Sequence, residues 1–430
     1  MRRTNYTTDV TRESDGREVT ILGWVDEIRD LGGIKFIILR DMRGKAQVTM
    51  PKSKMPPALL EKVAPLKREF VIGVKGNVVK MDKAPRGAEI IPSEVEVFSG
   101  SEDLPLDVKD KKAANLDVRL DMRILDLRGE EQNAVFRIRA KVVQKMREFT
   151  AQRGFIEVQT PKIIGSATEG GAELFPVLYY GKNAFLAQSP QLYKEQLVTV
   201  FEKVFEVGPI FRAEEFHTTR HLSESTSVDV EEAFATSEDV MRLAEEMVVY
   251  IIKALRDGCG DELKVLKRRL TLPSLPFPRY RYEDVVKELK GKGVKIELGD
   301  DFPIPVLREL SKIHKGFYFI VDWPTEIKPF YIMPKEDNPE YSQSFDLMYG
   351  WLELASGGTR VHDRALLEKR IGEQGLLVNS FASHLQAFKY GMPPHAGWGL
   401  GLERLVMVLT GKKNIREAVL FPRDKTRIAP

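Results

Sequence analysis

Between residues 17 and 99 the chain carries five short runs rich in β-branched and aromatic residues: REVTILGWV (17–25), IKFIILRD (34–41), KAQVTMP (45–51), REFVIGVKGNVV (68–79) and AEIIPSEVEVF (88–98). One helical piece, PPALLEKVAPL (56–66), falls between the third and the fourth. Such runs, separated by turn residues, predict the strands of a small β unit. The next stretch, SEDLPLDVKDKKAANLDVRLDMR (101–123), is polar, charged and weakly periodic, which predicts a hinge. The chain therefore divides near residue 105, and its 430 residues suffice for two or three domains of roughly 100 to 200 residues each.

Five strands with a helix between the third and fourth is the order of an OB barrel, a fold that often binds single-stranded nucleic acid. We assign it to residues 1–104, the hinge to 105–130 and a larger unit to 131–430. In that larger unit Val135, Ile138, Val142, Met146 and Phe149 are spaced 3, 4, 4 and 3, one face of a helix that ends at Gly154. Strands are expected at FIEVQTP (155–161), AFLAQS (184–189), KVFEVGPIFR (203–212), SVDVEEAF (227–234), FYFIVDWP (317–324), SFDLMYGWLELASGG (344–358) and GWGLGL (397–402), with long helices near 237–257 and 363–389. The strands lack regular helical crossovers, and no G-x-x-x-x-G-K-[ST] loop occurs. The expected fold class is therefore α+β, with a largely antiparallel sheet flanked by helices.

Composition narrows the partners. Hydrophobic residues make up 43% and charged residues 30%, which suits a water-soluble chain. A net charge of +3 leaves any nucleic-acid contact to local patches. The single Cys259 excludes an internal disulfide and a cysteine zinc site, and it fits a reducing compartment. MRRTNYTTDV (1–10) has no apolar core behind its arginines, and no run of about 18 apolar residues occurs. A cytoplasmic protein with no membrane partner is expected.

The chemistry must come from polar residues on the expected strands. In GPIFRAEEF (208–216) Arg212 and Glu214 stand two apart at a strand end and project from one face. A cation beside an acceptor clamps a phosphate and a polar group next to it; an isolated R-x-E is also compatible with a surface ion pair of little worth. Asp346 and Glu353 would face opposite sides of one extended strand unless a bulge in MYGW (348–351), permitted by Gly350, turns them together. Two hard carboxylates beside phosphates suit Mg2+. In SGGTRVH (356–362) paired glycines let the backbone approach a ligand while Arg360 offers a two-pronged donor for a carboxylate. QSPQLYK (188–194) supplies Gln191 and Lys194, and GLGLERL (399–405) places Arg404 where a glycine-rich strand enters a helix. Singly, Lys194 is compatible with a solvated helix residue, Arg404 with a helix-start charge, and Gly399 and Gly401 with close packing.

Together and in order, GFIEVQTPKI (154–163), GPIFRAEEF and GWGLGLERLVMVLTG (397–411) resemble the three motifs of the class II aminoacyl-tRNA synthetases. An amino-terminal OB barrel is carried by the subgroup for aspartate, asparagine and lysine, so the resemblance covers essentially the whole chain. It implies ATP as a substrate and Mg2+ as cofactor. Arg212 would hold the α-phosphate and the amino acid carboxylate, and Glu214 would accept from the adenine amino group, with Ala213 between them. Arg220, His221 and Leu222 would lie in a loop over ATP. Gly401, Leu402, Glu403 and Arg404 would close that site, Arg404 on the γ-phosphate. Glu353 would hold Mg2+ with help from Ser356, with Asp346 a second candidate.

QSPQLYK and GGTRVHD (357–363) resemble the aspartate branch of that subgroup, of the compact archaeal kind. A side-chain carboxylate wants paired cations, here Lys194 and Arg360; a side-chain amide would leave them unpaired at a cost of ~1 to 3 kcal/mol. The resemblance implies L-aspartate as substrate, its ammonium taken by Glu169 with Asp229 assisting, and Gln191 and Ser356 completing the pocket. It also implies a homodimer with Pro161 at the interface.

For the barrel the resemblance implies that Phe36 stacks on the middle anticodon base, Gln47 reads that base's edge and Arg29 contacts the first base or its phosphate. A barrel-core residue is the other reading of Phe36. Discriminating archaeal relatives carry a lysine and a tryptophan where Pro85 and Asp26 stand here. Proline offers no donor to the third base, and Asp26 adds a negative charge. The resemblance thus implies charging of tRNA(Asp) and also tRNA(Asn), unless Arg86 takes the lysine's role. The alternatives are a synthetase for tRNA(Asp) alone, an asparagine-specific synthetase, an enzyme making free asparagine and a catalytically dead RNA-binding paralogue. The barrel argues against the third, and the presence of Arg212, Glu353 and Arg404 against the fourth.

Overall fold

The computed structural model of the protein describes residues 1–107, 114–165, 174–214 and 218–430. It forms two compact units, Met1–Asp107 and Val108–Pro430. In the first, β1 (Glu18–Asp30), β2 (Ile34–Arg40), β3 (Lys45–Pro51), β4 (Val71–Lys80) and β5 (Ala88–Ser99) close a barrel in the order β1-β2-β3-β5-β4, with α1 (Pro57–Val63) between β3 and β4. Strand alternation sorts the side chains. Ile21, Ile37, Leu39, Val48 and Met50 fill the inside, so Phe36 and Gln47, one residue out of step with them, point outward.

The second unit begins with α2 (Leu116–Asp121), α3 (Arg123–Asp126), α4 (Glu130–Gln152) and β6 (Ile156–Glu157). A small sheet of β7 (Ile163–Ile164), β8 (Pro176–Tyr179) and β9 (Lys182–Leu186) precedes α5 (Gln191–Phe201). Then come β10 (Lys203–Phe211), β11 (Glu224–Ala233), α6 (Ser237–Gly258), α7 (Gly260–Val265), β12 (Arg279–Arg281), α8 (Tyr282–Gly291), α9 (Ile304–Ile313) and β13 (Phe317–Val321). The chain ends through β14 (Ser344–Tyr349), β15 (Leu352–Thr359), α10 (Arg364–Glu373), α11 (Ala382–Lys389), β16 (His395–Gly401) and α12 (Leu402–Thr410).

The main sheet runs β12-β13-β14-β15-β16-β11-β10-β6. Its six central strands are antiparallel, and each end adds one parallel pair. The apolar stripe of α4, with the buried faces of α6 and α12, packs against one side of the sheet, where Val135, Ile138, Val142 and Met146 are fully buried. The polar row of the sheet is thereby left to the other side.

Three expectations change. The stretch 105–130 is not a hinge throughout, since 116–126 forms α2 and α3. There Asp126 accepts from Arg119 at 2.8 Å, and buried Arg123 donates to the Leu420 carbonyl at 2.6 Å. These polar residues pair with one another and with backbone, which lets them be buried despite their charge. The helix expected over 363–389 is broken into α10 and α11 at Gly375, whose φ of +71° ends the first. Asp346 and Glu353 lie on neighbouring strands of a hairpin rather than on one bulged strand; Gly350, at φ +56°, makes its turn.

Candidate active site

A cavity of about 440 Å³ opens over β15, β16, β11 and the end of β10. Its floor is a row across three strands, in which Ser356 pairs with Gly399 and Gly399 with Asp229. A Cβ on Gly399 would stand 3.1 Å from the Asp229 carboxylate, so glycine is what keeps this floor low.

At one end are the residues expected to hold a nucleotide. β10 stops at Phe211, one residue before the expected strand end, yet Arg212 N still donates to the Ser223 carbonyl at 2.9 Å. Alternation therefore persists: Arg212 and Glu214 line the cavity, while Ala213 lines a separate one. The Arg220 guanidinium lies 6.0 Å from the Trp351 ring centre. His221 Nδ1 is 2.8 Å from Thr218 Oγ1. Burial, with Arg404 and Arg220 nearby, pulls the His221 ring down to about 4, so it is neutral at pH 7. Leu222 reaches the cavity edge but belongs to the core. Leu402 is a core residue of α12 and does not face the cavity. Glu403 is buried, its carboxylate taken by Arg139 at 2.8 Å and by the Thr226 N–H at 3.1 Å, which fixes the start of α12. Gly401, Glu403 and Arg404 all line the cavity. Arg404 Nη1 donates to the Glu353 carbonyl at 3.0 Å and stands 3.6 Å from its carboxylate. Burial pushes the Glu353 carboxyl up, but Arg404, Lys328, Arg220 and Arg212 outweigh it and hold the group below its ordinary value.

Of the three residues expected at a metal, Glu353 and Ser356 face the cavity. Asp346 does not. Its two oxygens accept from Lys328 at 3.0 and 2.9 Å, and it lies beside Ser356 in the register.

At the other end Asp229, Gln191, Ser356 and Arg360 line the cavity, whereas Lys194 lies beneath it, 2% exposed. The Lys194 ammonium is held by Asp229 at 3.0 Å and by Glu231 at 3.3 Å. Two carboxylates of β11 hold it, and it does not itself line the cavity. Arg360 is also buried; its Nε donates to Glu231 at 2.9 Å and its Nη2 to Glu231 at 3.3 Å and Gln191 at 3.4 Å. Its Nη1 keeps its donors for the cavity. Asp229 Oδ2 is buried without a hydrogen-bond donor among the described residues. Glu231, which anchors both cations, was missed; its signal is an acid two residues from Asp229, hence on the same face of the strand. Glu169 lies outside the described residues.

On the outer face of the barrel Arg29 pairs with Phe36 and Phe36 with Thr49, two residues from Gln47. Arg29 also bonds Glu27, and Gln47 donates to Glu89 at 2.9 Å. Asp26 is buried between Lys45, at 3.1 Å, and Arg40, at 3.7 Å, so the negative charge expected to act there is neutralised. Pro85 opens a short turn, and Arg86 within it, at φ +55°, donates to the carbonyls of Thr7, at 2.6 Å, and Lys45.

Residues 115–425 match the family described as tRNA synthetases class II (D, K and N), and residues 19–98 match the OB-fold nucleic acid binding domain. The chain belongs to the class II tRNA synthetases of the aspartate, lysine and asparagine group. Within that group it is 53% identical to a protein of Methanopyrus kandleri named aspartate–tRNA(Asp/Asn) ligase, covering 100% of both chains. It is 50% identical to one of the same name from Methanothermobacter thermautotrophicus, covering 100% of this chain and 99% of the relative. Among solved structures, asparaginyl-tRNA synthetase of Pyrococcus horikoshii with asparaginyl-adenylate superposes with a TM-score of 0.96 at 32% identity, covering 100% of both. Aspartyl-tRNA synthetase of Entamoeba histolytica follows with 0.88 at 31%, covering 100% of this chain and 93% of that one. Class II synthetases use ATP as a substrate. No helix among the described residues is long and apolar enough to cross a membrane.

Proposed function

We propose that this synthetase is a cytoplasmic aspartate–tRNA ligase that charges tRNA(Asp) and also tRNA(Asn). The observation that carries the amino acid is Arg360, a buried guanidinium locked by Glu231 and Gln191 with Nη1 left toward the cavity. A side-chain carboxylate satisfies that donor pair, whereas an amide leaves part of it unpaired. Lys194 contributes its charge from beneath the floor, and Asp229 Oδ2 suits the substrate ammonium.

The reaction needs no protein nucleophile. A carboxylate oxygen of aspartate attacks the α-phosphorus, the bond to the bridging oxygen breaks and pyrophosphate leaves; the terminal ribose hydroxyl of tRNA then attacks the acyl carbon and AMP leaves. Arg212 draws carboxylate and α-phosphate together, and Arg404 holds the far phosphate, so rate comes from alignment and charge neutralisation. Glu353 and Ser356, two oxygen donors beside these arginines, fit Mg2+, which supplies positive charge to the phosphate oxygens.

Non-discrimination is supported by two features of the barrel: Pro85 has no side-chain donor, and the Arg86 guanidinium is committed to backbone carbonyls. A homodimer suits the exposed apolar Ile156 and Ile163, which flank Pro161 in the sequence. The test of the amino acid is ATP–pyrophosphate exchange with aspartate, asparagine and lysine. Exchange driven by aspartate is expected; exchange driven by asparagine alone would replace this reading with the asparagine-specific one, which the Pyrococcus structure represents.

A further inference from the structure

Behind the cavity lies a chain of buried groups that the reaction above does not use. Gln191 Nε2 donates to Glu195 Oε1. Glu195 is fully buried, and its Oε2 stands 3.1 Å from His384 Nε2. His384 Nδ1 is 3.1 Å from the Leu192 carbonyl. The ring of His384 is thus held between the Glu195 carboxylate and the Leu192 carbonyl. The other charged or titratable groups around this pair are His395 on β16, whose Nδ1 meets the Pro393 carbonyl at 2.8 Å, Glu231 on β11, Lys194 on α5, and Arg360 just past β15; the Phe388 ring closes over His384 at 5.0 Å. Burial opposes a charge on Glu195, yet His384, His395 and Arg360 hold its carboxyl down at about 2.

We propose that Glu195, held by His384, is the positioning residue that makes the amino acid pocket select a carboxylate over an amide. A carboxylate only accepts, so Glu195 obliges Gln191 to turn its NH2 inward and its carbonyl oxygen toward Arg360 Nη2. Glu231 takes Nε and Nη2 and Gln191 takes the same Nη2, so the guanidinium is held along one edge and presents Nη1 in one orientation. Remove the Glu195 charge and Gln191 is free to flip, setting its NH2 against Arg360; the hold loosens and the subsite no longer has a fixed cation for the substrate. This inference rests on aspartate being the substrate.

The test is Glu195→Gln and His384→Asn, singly and together, in ATP–pyrophosphate exchange with the full chain. Glu195→Gln is expected to raise the aspartate KM by about 10-fold or more and lower the preference for aspartate over asparagine by about as much. The ATP KM should stay within about twofold. His384→Asn should act in the same direction, and the double variant should be no worse than Glu195→Gln, because the two act through one path. An unchanged aspartate KM in a folded variant, or equal losses for aspartate and ATP, overturns the proposal; should Glu195→Gln fail to fold, His384→Asn alone decides by the same two criteria. Wild-type exchange that ignores aspartate would instead overturn the substrate reading itself.

Discussion

His221 is a neutral ring among arginines, and its environment sets a pH dependence. Its folded value near 4 lies below the ordinary 6.5, so between those limits the unfolded chain binds the extra proton. Stability from this residue is complete above pH 6.5 and is lost as pH falls toward 4, by at most about 3 kcal/mol. NMR titration of the ring should give a midpoint near 4, and His221→Asn should flatten the stability profile in that window; a midpoint near 6.5 refutes the assignment. At this scale the sequence was informative where periodicity alone places a side chain, as for Arg212 and Glu214. It failed where competition among partners decides. Nothing in QSPQLYK says that two acids two strands away will draw Lys194 under the floor, and the Lys328 contact that occupies Asp346 comes from a loop with no motif of its own.

Strand β16 shows what an element can demand. A Cβ on Gly397 would come within 2.2 Å of both the Val230 carbonyl and the Glu231 carboxylate, and the backbone oxygen cannot yield. Gly397→Ala should therefore cost about 2 to 3 kcal/mol by denaturant midpoint and raise the aspartate KM, since Glu231 anchors Arg360. Gly401→Ala, whose Cβ would meet only Arg404 at 3.6 Å, should cost under about 1 kcal/mol; equal costs for the two would contradict the packing account. The stripe of α4 was legible from its spacing because a helix face repeats locally. The hairpin of β14 and β15, the break at Gly375 and the helices within 105–130 were not, because turn geometry and buried ion pairs override composition.

At the scale of the whole molecule, the order of strands predicted both the barrel and the antiparallel sheet, since each follows from sequence order and the absence of crossovers. What the barrel reads depends on details that order does not reach, such as the commitment of Arg86 to Thr7 and Lys45. With that donor occupied, aspartylation of tRNA(Asp) and tRNA(Asn) transcripts, compared at equal salt, should differ by less than about 10-fold. A preference above about 100-fold, ~2.7 kcal/mol, would refute non-discrimination, and Pro85→Lys should move the ratio toward tRNA(Asp).

The bonds from Arg123 to the carbonyls of Arg416, Val419 and Leu420 span 293 to 297 positions. A ribosome working at 5 to 20 residues per second delivers those carbonyls roughly 15 to 60 s after the arginine. Until then Arg119, Arg123 and Asp126 have one another and near neighbours such as Gln132 and Phe136, but not the late carbonyls that complete the Arg123 guanidinium. The barrel, whose strands all lie within Met1–Asp107, has no such wait. Vectorial synthesis thus finishes the proposed anticodon reader well before the adenylate-forming unit can be sealed.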